Sequence, residues 1–205
     1  AALNGTIDVT QIFSTLHAFA ALRADGSVVT WGSAYGEGAD SSAVGAALNG
    51  TIDVTRVVST ERAFAALRAD GSVVTWGDVD YGGNSSTVAA ALNGTIDVTQ
   101  VFSTPYAFAA LRADGSLVTW GIAASGGDSS AVAAALNGTI DVTQVASARE
   151  AFAALRADGS VVAWGHPDRG GNISGVATAL NGTIDVTQVF SNDGAFAALR
   201  ADGSV

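Results

Sequence analysis

The chain has 205 residues, 48% of them hydrophobic and 14% charged, a balance that supports a packed core and excludes intrinsic disorder. A net charge of −10 opposes binding to phosphate backbones and anionic lipid, so neither nucleic acid nor membrane insertion is expected. There is no Cys, hence no disulfide framework and no thiolate chemistry, and the longest small apolar run, AVAAAL at 131–136, falls far short of the roughly 20 residues a membrane helix needs.

The phrase LNGTIDVT begins at Leu3, Leu48, Leu92, Leu136 and Leu180, at spacings of 45, 44, 44 and 44 residues. Residues 1–205 are therefore read as one array of four full units and most of a fifth. The fifth stops at Val205, and the chain opens on AALNG, the tail of the missing piece. The expectation is an excerpt of a longer array, or a chain whose two ends meet.

Each unit starts with a strand signal. In TIDVTQVFS (Thr95 to Ser103), Ile96, Val98 and, after a phase change, Val101 and Phe102 stand among β-branched Thr. AFAALRA and SLVTW (Ala107 to Ala113 and Ser116 to Trp120) follow, separated by Asp114-Gly115. That dipeptide predicts a two-residue type I′ hairpin, with positive φ at both central residues, so the chain reverses at every DG. In AFAAL, Phe108 and Ala110 point one way and Ala107, Ala109 and Leu111 the other, so both faces of this strand are apolar and both need cover.

A strand covered on both faces, in a radially repeated unit of 44 residues, is what a β-propeller blade requires. A β-solenoid is the alternative, and the hairpin counts against it, because a solenoid coil keeps winding in one sense. The last piece, SSAVAAALNG (Ser129 to Gly138), reads equally as a short helix capped by Ser or as an outer strand or extended connection ending in an NG turn.

The units differ in two places. Between strand one and AFAAL stand Leu16-His17, Glu61-Arg62, Pro105-Tyr106, Arg149-Glu150 and Asp193-Gly194; after WG stand Ser33 to Tyr35, Asp78 to Tyr81, Ile122 to Ser125 and His166 to Arg169. If strand one runs up, both stretches emerge at the top edge, opposite the DG turns. Exposed loops drift when nothing constrains them. A rigid scaffold that carries function on its loop face gives the same pattern, and these positions are rich in contact-forming side chains. The candidate partner-binding residues are His17, Tyr35, Arg62, Asp80, Tyr81, Tyr106, Arg149, Glu150, His166 and Arg169.

Other motifs read as structure. His17 and His166 lie in different units with no recurring Ser/His/Asp set, so no catalytic residues are expected. Two scattered histidines do not make a zinc site, and DVDYGGN (Asp78 to Asn84) lacks a calcium-loop pattern, so no metal and no cofactor are expected. The Asn-Gly-Thr sequons at Asn4, Asn49, Asn93, Asn137 and Asn181 are explained by turn chemistry. Arg23, Arg68, Arg112, Arg156 and Arg200 recur beside DG while Asp8, Asp53, Asp97, Asp141 and Asp185 recur in strand one, a pattern suited to ion pairs. Trp31, Trp76, Trp120 and Trp164 read as core rather than as a ligand pocket.

VTQVFSTPYAFAALRADGSLVTWG (Val98 to Gly121) resembles the blade repeat of the regulator of chromosome condensation family, whose pattern runs V-x-x-I-x-x-G-x-x-H-T-x-A-L-x-x-D-G-x-V-x-x-W-G. Val101, Ala110, Leu111, Asp114, Gly115, Val118, Trp120 and Gly121 match, and the likeness recurs in all five units over about half of each. Phe19, Phe64, Phe108, Phe152 and Phe196 stand near the place of the family's His, and GGDSSAV (Gly126 to Val132) replaces its trailing N-x-x-G-Q-L-G. The resemblance implies propeller-type blades and a binding role, as in near-identical tandem arrays of large bacterial proteins, some of them surface or secreted. No residue set for nucleotide exchange or chromatin binding can be matched. Family propellers have about seven blades, more than this chain supplies.

The sequence thus predicts an all-β array of propeller-type blades and a non-enzymatic scaffold whose variable edge binds a protein or glycan. The alternative is a spacer or self-assembling surface component. Unpaired strand edges in the incomplete last unit predict self-association.

Overall fold

The computed structural model describes residues 3, 5–33 and 38–205. Four antiparallel three-stranded sheets and a two-stranded one follow in chain order. The strands are β1 (Val9–Ser14), β2 (Ala18–Arg23) and β3 (Val28–Gly32) in unit 1; β4 (Val54–Ser59), β5 (Ala63–Arg68) and β6 (Val73–Gly77) in unit 2; β7 (Val98–Ser103), β8 (Ala107–Arg112) and β9 (Leu117–Gly121) in unit 3; β10 (Val142–Ser147), β11 (Ala151–Arg156) and β12 (Val161–Gly165) in unit 4; and β13 (Val186–Ser191) and β14 (Phe196–Arg200) in unit 5. The units are propeller-type blades.

The phase change in each first strand is a β-bulge. Val98 pairs with Arg112 but Gln100 with Leu111, which places Val98 and Val101 on one buried face although they are three residues apart.

The DG dipeptides do reverse the chain, by another turn than the sequence predicts. Gly71 lies at φ +73° while no described residue other than glycine has positive φ, so Asp70 is not in the left-handed region that a type I′ turn demands. Gly71 N–H donates to the Arg68 carbonyl at 3.0 Å and Arg68 N–H to that of Ser72 at 2.9 Å. This is a three-residue loop, a type I turn closed by a left-handed glycine. Asp70 is selected for its side chain: its Oδ1 accepts from both the N–H and the hydroxyl of Ser72. The recurring arginines pair with this turn aspartate, as in Arg68 to Asp70 at 3.5 Å.

Both faces of each middle strand are covered in units 2 to 4. In unit 2 the small-residue face (Ala63, Ala65, Leu67, Val73) packs on Val98, Val101, Phe108, Ala110 and Trp120 of unit 3, with Leu92 of the connection between them. The unit 2 aromatic face (Val54, Val57, Phe64, Ala66, Trp76) packs on Ala18, Ala20, Leu22 and Val28 of unit 1. The same seam recurs four times. Phe64, Phe108 and Phe152 are fully buried, each worth about 1.5–3 kcal/mol on transfer from water. The phenylalanine near the place of the resembled family's His stacks on the tryptophan of its own blade, with Phe64 and Trp76 centroids 5.1 Å apart. Trp76, Trp120 and Trp164 are core, whereas Trp31 of unit 1 is half exposed.

The segment after WG resolves the open choice between helix and strand as short 3₁₀ turns, at Ser42–Val44, Ser86–Ala91, Ser130–Ala135 and Ser174–Leu180. Ser41, Ser85 and Ser129 make no side-chain cap; instead Oδ1 of Asp40, Asn84, Asp128 and Asn172 accepts from the serine N–H two residues on. The NG that follows is a turn, with Gly94 at φ +80° and Asn93 Oδ1 accepting from Thr95 N–H. No described helix is long and apolar enough to cross a membrane.

Candidate partner-binding edge

The two variable stretches of each unit lie side by side. The third strand ends where the second begins, as Gly77 pairs with Ala63 and Gly121 with Ala107. The backbone then ties one stretch to the other: Ser33 N–H donates to the His17 carbonyl, Asp78 to Arg62, Ile122 to Tyr106 and His166 to Glu150, at 2.8–3.0 Å. The DG turns close the opposite edge.

Buried threonines hold this edge in units 2 and 3. Thr60 Oγ1 accepts from Ala63 N–H at 3.0 Å and donates to the Tyr81 carbonyl at 3.0 Å, fixing both stretches of unit 2 to one atom. Thr104 does the same between Ala107 N–H and the Ser125 carbonyl.

Neighbouring units also touch here. Leu16 N–H donates to the Glu61 carbonyl and Glu61 N–H to that of Pro105, both at 2.8 Å, and Arg149 N–H to that of Asp193 at 3.1 Å. Pro105, which has no N–H, interrupts this ladder between units 3 and 4. Equivalent turns therefore stand one hydrogen bond apart, and their side chains meet across unit boundaries.

The result is a continuous chain of contacts among residues that differ from unit to unit. Asp78 pairs with Arg62 at 3.9 Å, and the Arg62 guanidinium lies 5.0 Å from the centroid of the Tyr81 ring, within cation–π range. Tyr81 of unit 2 meets Tyr106 of unit 3 with centroids 5.7 Å apart. The Arg149 guanidinium of unit 4 is held above its ordinary range, chiefly by its side-chain interaction with Tyr106 of unit 3 and then by the charges of Asp193 and Glu61. Arg169 of unit 4 reaches Asp193 of unit 5 at 3.7 Å. Of the nine basic residues, five are the DG-turn arginines; of the other four, only Arg56 lies off this edge.

The edge thus brings together Arg62, Tyr81, Tyr106, Arg149 and Arg169 of the sequence candidates. Asp80 lies exposed, its N–H bound by Asp78 Oδ1, on the wall of a groove of about 540 Å³ that also carries Trp120 and Ile122. Glu150 and His166 are tied by backbone; the His166 ring accepts from Asp168 N–H at 3.3 Å and stays within its own loop. His17 is at the far end of the row, in unit 1, and Tyr35 lies outside the described residues. Sequence reasoning missed Asp78, Asp193 and Glu61, the anions between the arginines. Their signal was position: each occupies a variable site beside an arginine of its own or a neighbouring unit.

No protein-family model and no curated protein sequence matches the chain. Solved structures do. It is similar to Prp20p from Saccharomyces cerevisiae (TM-score 0.59, 15% identity, covering 95% of this chain and 56% of that one). It is also similar to the ectodomain of the receptor kinase CR4 from Physcomitrella patens (0.57, 14%, 97% and 51%) and to the CRINKLY WD40 ectodomain of the receptor kinase ACR4 from Arabidopsis thaliana (0.57, 13%, 97% and 67%). The chain spans about half to two thirds of the length of these structures. In fold, its units are RCC1-like β-propeller repeats.

Proposed function

We propose that the chain is a non-enzymatic protein-binding scaffold and that its variable edge is the binding surface. The observation that carries this reading is the cross-unit chain Arg62–Tyr81–Tyr106–Arg149. Loops that merely drift have no reason to match side chains of the neighbouring unit, and Tyr and Arg are the residue types that concentrate binding energy at protein interfaces. Structural neighbours point the same way: Prp20p was studied for its binding to Gsp1p and histones, and yeast RCC1 (Prp20) has been crystallised with Kap60. A glycan partner would use the two tyrosine faces, and a spacer role would need no partner at all.

The test is affinity enrichment from the native source followed by titration of the enriched protein with purified variants. Replacing Arg62, Tyr81, Tyr106 and Arg149 together by Ala is expected to abolish binding, whereas Asp97→Asn and Asp141→Asn on the DG edge leave it intact. Binding that survives the first set and is lost with the second would place the surface on the other edge; no ligand at all would favour the spacer.

A further inference from the structure

We propose that the free edges of β6, β9 and β12 line a row of three grooves that take an extended, basic polypeptide segment. None of Arg62, Tyr81, Tyr106 and Arg149 lines these grooves, so the proposal is independent of the reading above.

Each third strand is the last of its sheet. Only its start is covered: Val73 N–H donates to the Leu92 carbonyl and Leu117 N–H to that of Leu136, both at 2.9 Å, while Ser72, Ser116 and Ser160 bridge to Asn93, Asn137 and Asn181. Just past its end an N–H turns inward, as Asp78 donates to the Arg62 carbonyl, Ile122 to that of Tyr106 and His166 to that of Glu150. Backbone groups alternate along an antiparallel strand. The N–H groups of Thr75 and Gly77 therefore point away from β5, those of Thr119 and Gly121 away from β8, and those of Ala163 and Gly165 away from β11. Among the described residues none accepts a hydrogen bond from any of these six.

A groove runs along each of these stretches, of about 550 Å³ at Thr75 and Gly77, 540 Å³ at Thr119 and Gly121, and 350 Å³ at Ala163 and Gly165. Neighbouring grooves share walls: Val79 and Asn84 line the first and second, Ala123 the second and third. The preceding unit contributes one carboxylate to each, Asp40, Asp80 and Asp128 in turn, and no Arg or His lines any of the three. Trp76, Trp120 and Trp164 also border them but are only 3–4% exposed, so no ring face is offered to a sugar.

This lining selects its occupant. N–H groups two residues apart on a strand stand roughly 7 Å apart, the spacing of the same-side carbonyls of a second extended chain. A segment laid on a sheet edge gains main-chain hydrogen bonds, and side-chain contacts set which segment is accepted. Here the side-chain contact is a carboxylate in every groove, which favours cationic side chains. A polyamine carries that charge without the acceptors, and an acidic segment carries the acceptors with the wrong charge.

The test is titration of the 205-residue chain with an end-blocked ten-residue peptide of alternating Arg and Thr, read by calorimetry and by amide exchange in NMR spectra. Spermine and the alternating Glu and Thr peptide are run beside it. The Arg peptide is expected to bind and to slow exchange at the six N–H groups about tenfold or more, and the other two probes to do neither. Asp40→Asn, Asp80→Asn and Asp128→Asn together are expected to weaken binding about tenfold or more. Asn84 and Asn172 already stand where Asp40 and Asp128 do and accept from the same serine N–H, so the fold tolerates those changes. Asp97→Asn, Asp141→Asn and Asp185→Asn on the DG edge remove the same charge and are expected to leave binding intact. An Arg peptide that does not bind would overturn the proposal, as would unchanged exchange at the six groups or two triple variants that bind alike. Spermine binding as tightly would overturn it too, since charge alone would then account for the site.

Discussion

The indole Nε1 of Trp76 donates to the carbonyl oxygen of Gly38 in the preceding unit at 3.0 Å, and the same bond joins Trp120 to Gly82 and Trp164 to Gly126. Among the described residues it is the one side-chain hydrogen bond that staples each of these seams through buried atoms. Trp120→Phe keeps an aromatic ring against Phe108 but leaves the buried Gly82 carbonyl without its donor and opens a small cavity. The expected loss is about 2 kcal/mol or more, read as a lower urea midpoint. Trp31 of unit 1 is 36% exposed where Trp120 is 3%, so Trp31→Phe is expected to cost less than about 1 kcal/mol. Equal losses at the two positions would mean that the staple contributes nothing.

Glycines of this array divide into two kinds by what surrounds them. Gly82 has φ +93°, and a Cβ there would stand 2.7 Å from the Phe108 ring. Gly82→Ala therefore combines left-handed strain with a clash in the seam, and a loss of about 2–3 kcal/mol is expected. Gly175 lies within the 3₁₀ turn Ser174–Leu180, where a Cβ would meet nothing within 4 Å. Gly175→Ala is expected to stabilise, by about 0.4–1 kcal/mol through the unfolded chain. Thermal unfolding of both variants checks the opposite signs.

Much of the blade was legible because its determinants are local. The alternating AFAAL strand, the phase change at Val98 to Val101 and the reversal at DG each rest on neighbouring residues. The turn type was misread because Asp-Gly satisfies two loops: only the hydrogen bonds of Ser72 to Asp70 show the aspartate acting through its side chain, with glycine alone at positive φ. The 3₁₀ turns were ambiguous because so short a segment has too little periodicity to separate helix from strand. Gly82 and Gly126 gave no signal as seam residues, since their partners Trp120 and Trp164 lie 38 positions on, in another unit. The same holds for the edge: the sequence placed the variable stretches together, but the meeting of Tyr81 with Tyr106 depends on how the loop of one blade leans on the turn of the next.

Acid sensitivity follows from the DG turns. The Ser72 hydroxyl hydrogen bond lowers the Asp70 carboxyl below its ordinary range, burial works against it, and Ser72 N–H and Arg68 add to the lowering; Asp25, Asp114, Asp158 and Asp202 repeat the pattern with Ser27, Ser116, Ser160 and Ser204. A carboxyl lowered in the folded state contributes stability that is present above the ordinary carboxylate range, near pH 4, and is lost as pH falls through the folded values. The urea midpoint is expected to hold between pH 7 and about 5 and to fall below about pH 4. Replacing Ser72, Ser116 and Ser160 together by Ala lowers the neutral-pH midpoint and shrinks the difference between neutral and acid. An undiminished difference in the triple variant would assign the acid loss to other carboxylates.

The variable edge is expected to be nearly silent in stability, which is what makes it testable as a surface. Arg149 is exposed and its interaction with Tyr106 is solvated, so a double-mutant cycle of Tyr106→Phe with Arg149→Ala should give only a small coupling that added salt reduces further. Each single variant should unfold at nearly the same urea midpoint as the parent chain. The fold is carried instead by the seams, whose Phe and Trp lie beneath the edge and are untouched by these changes. A large coupling, with unfolding shifted to match, would make the Tyr106–Arg149 contact part of the scaffold and account for its cross-unit fit without any partner.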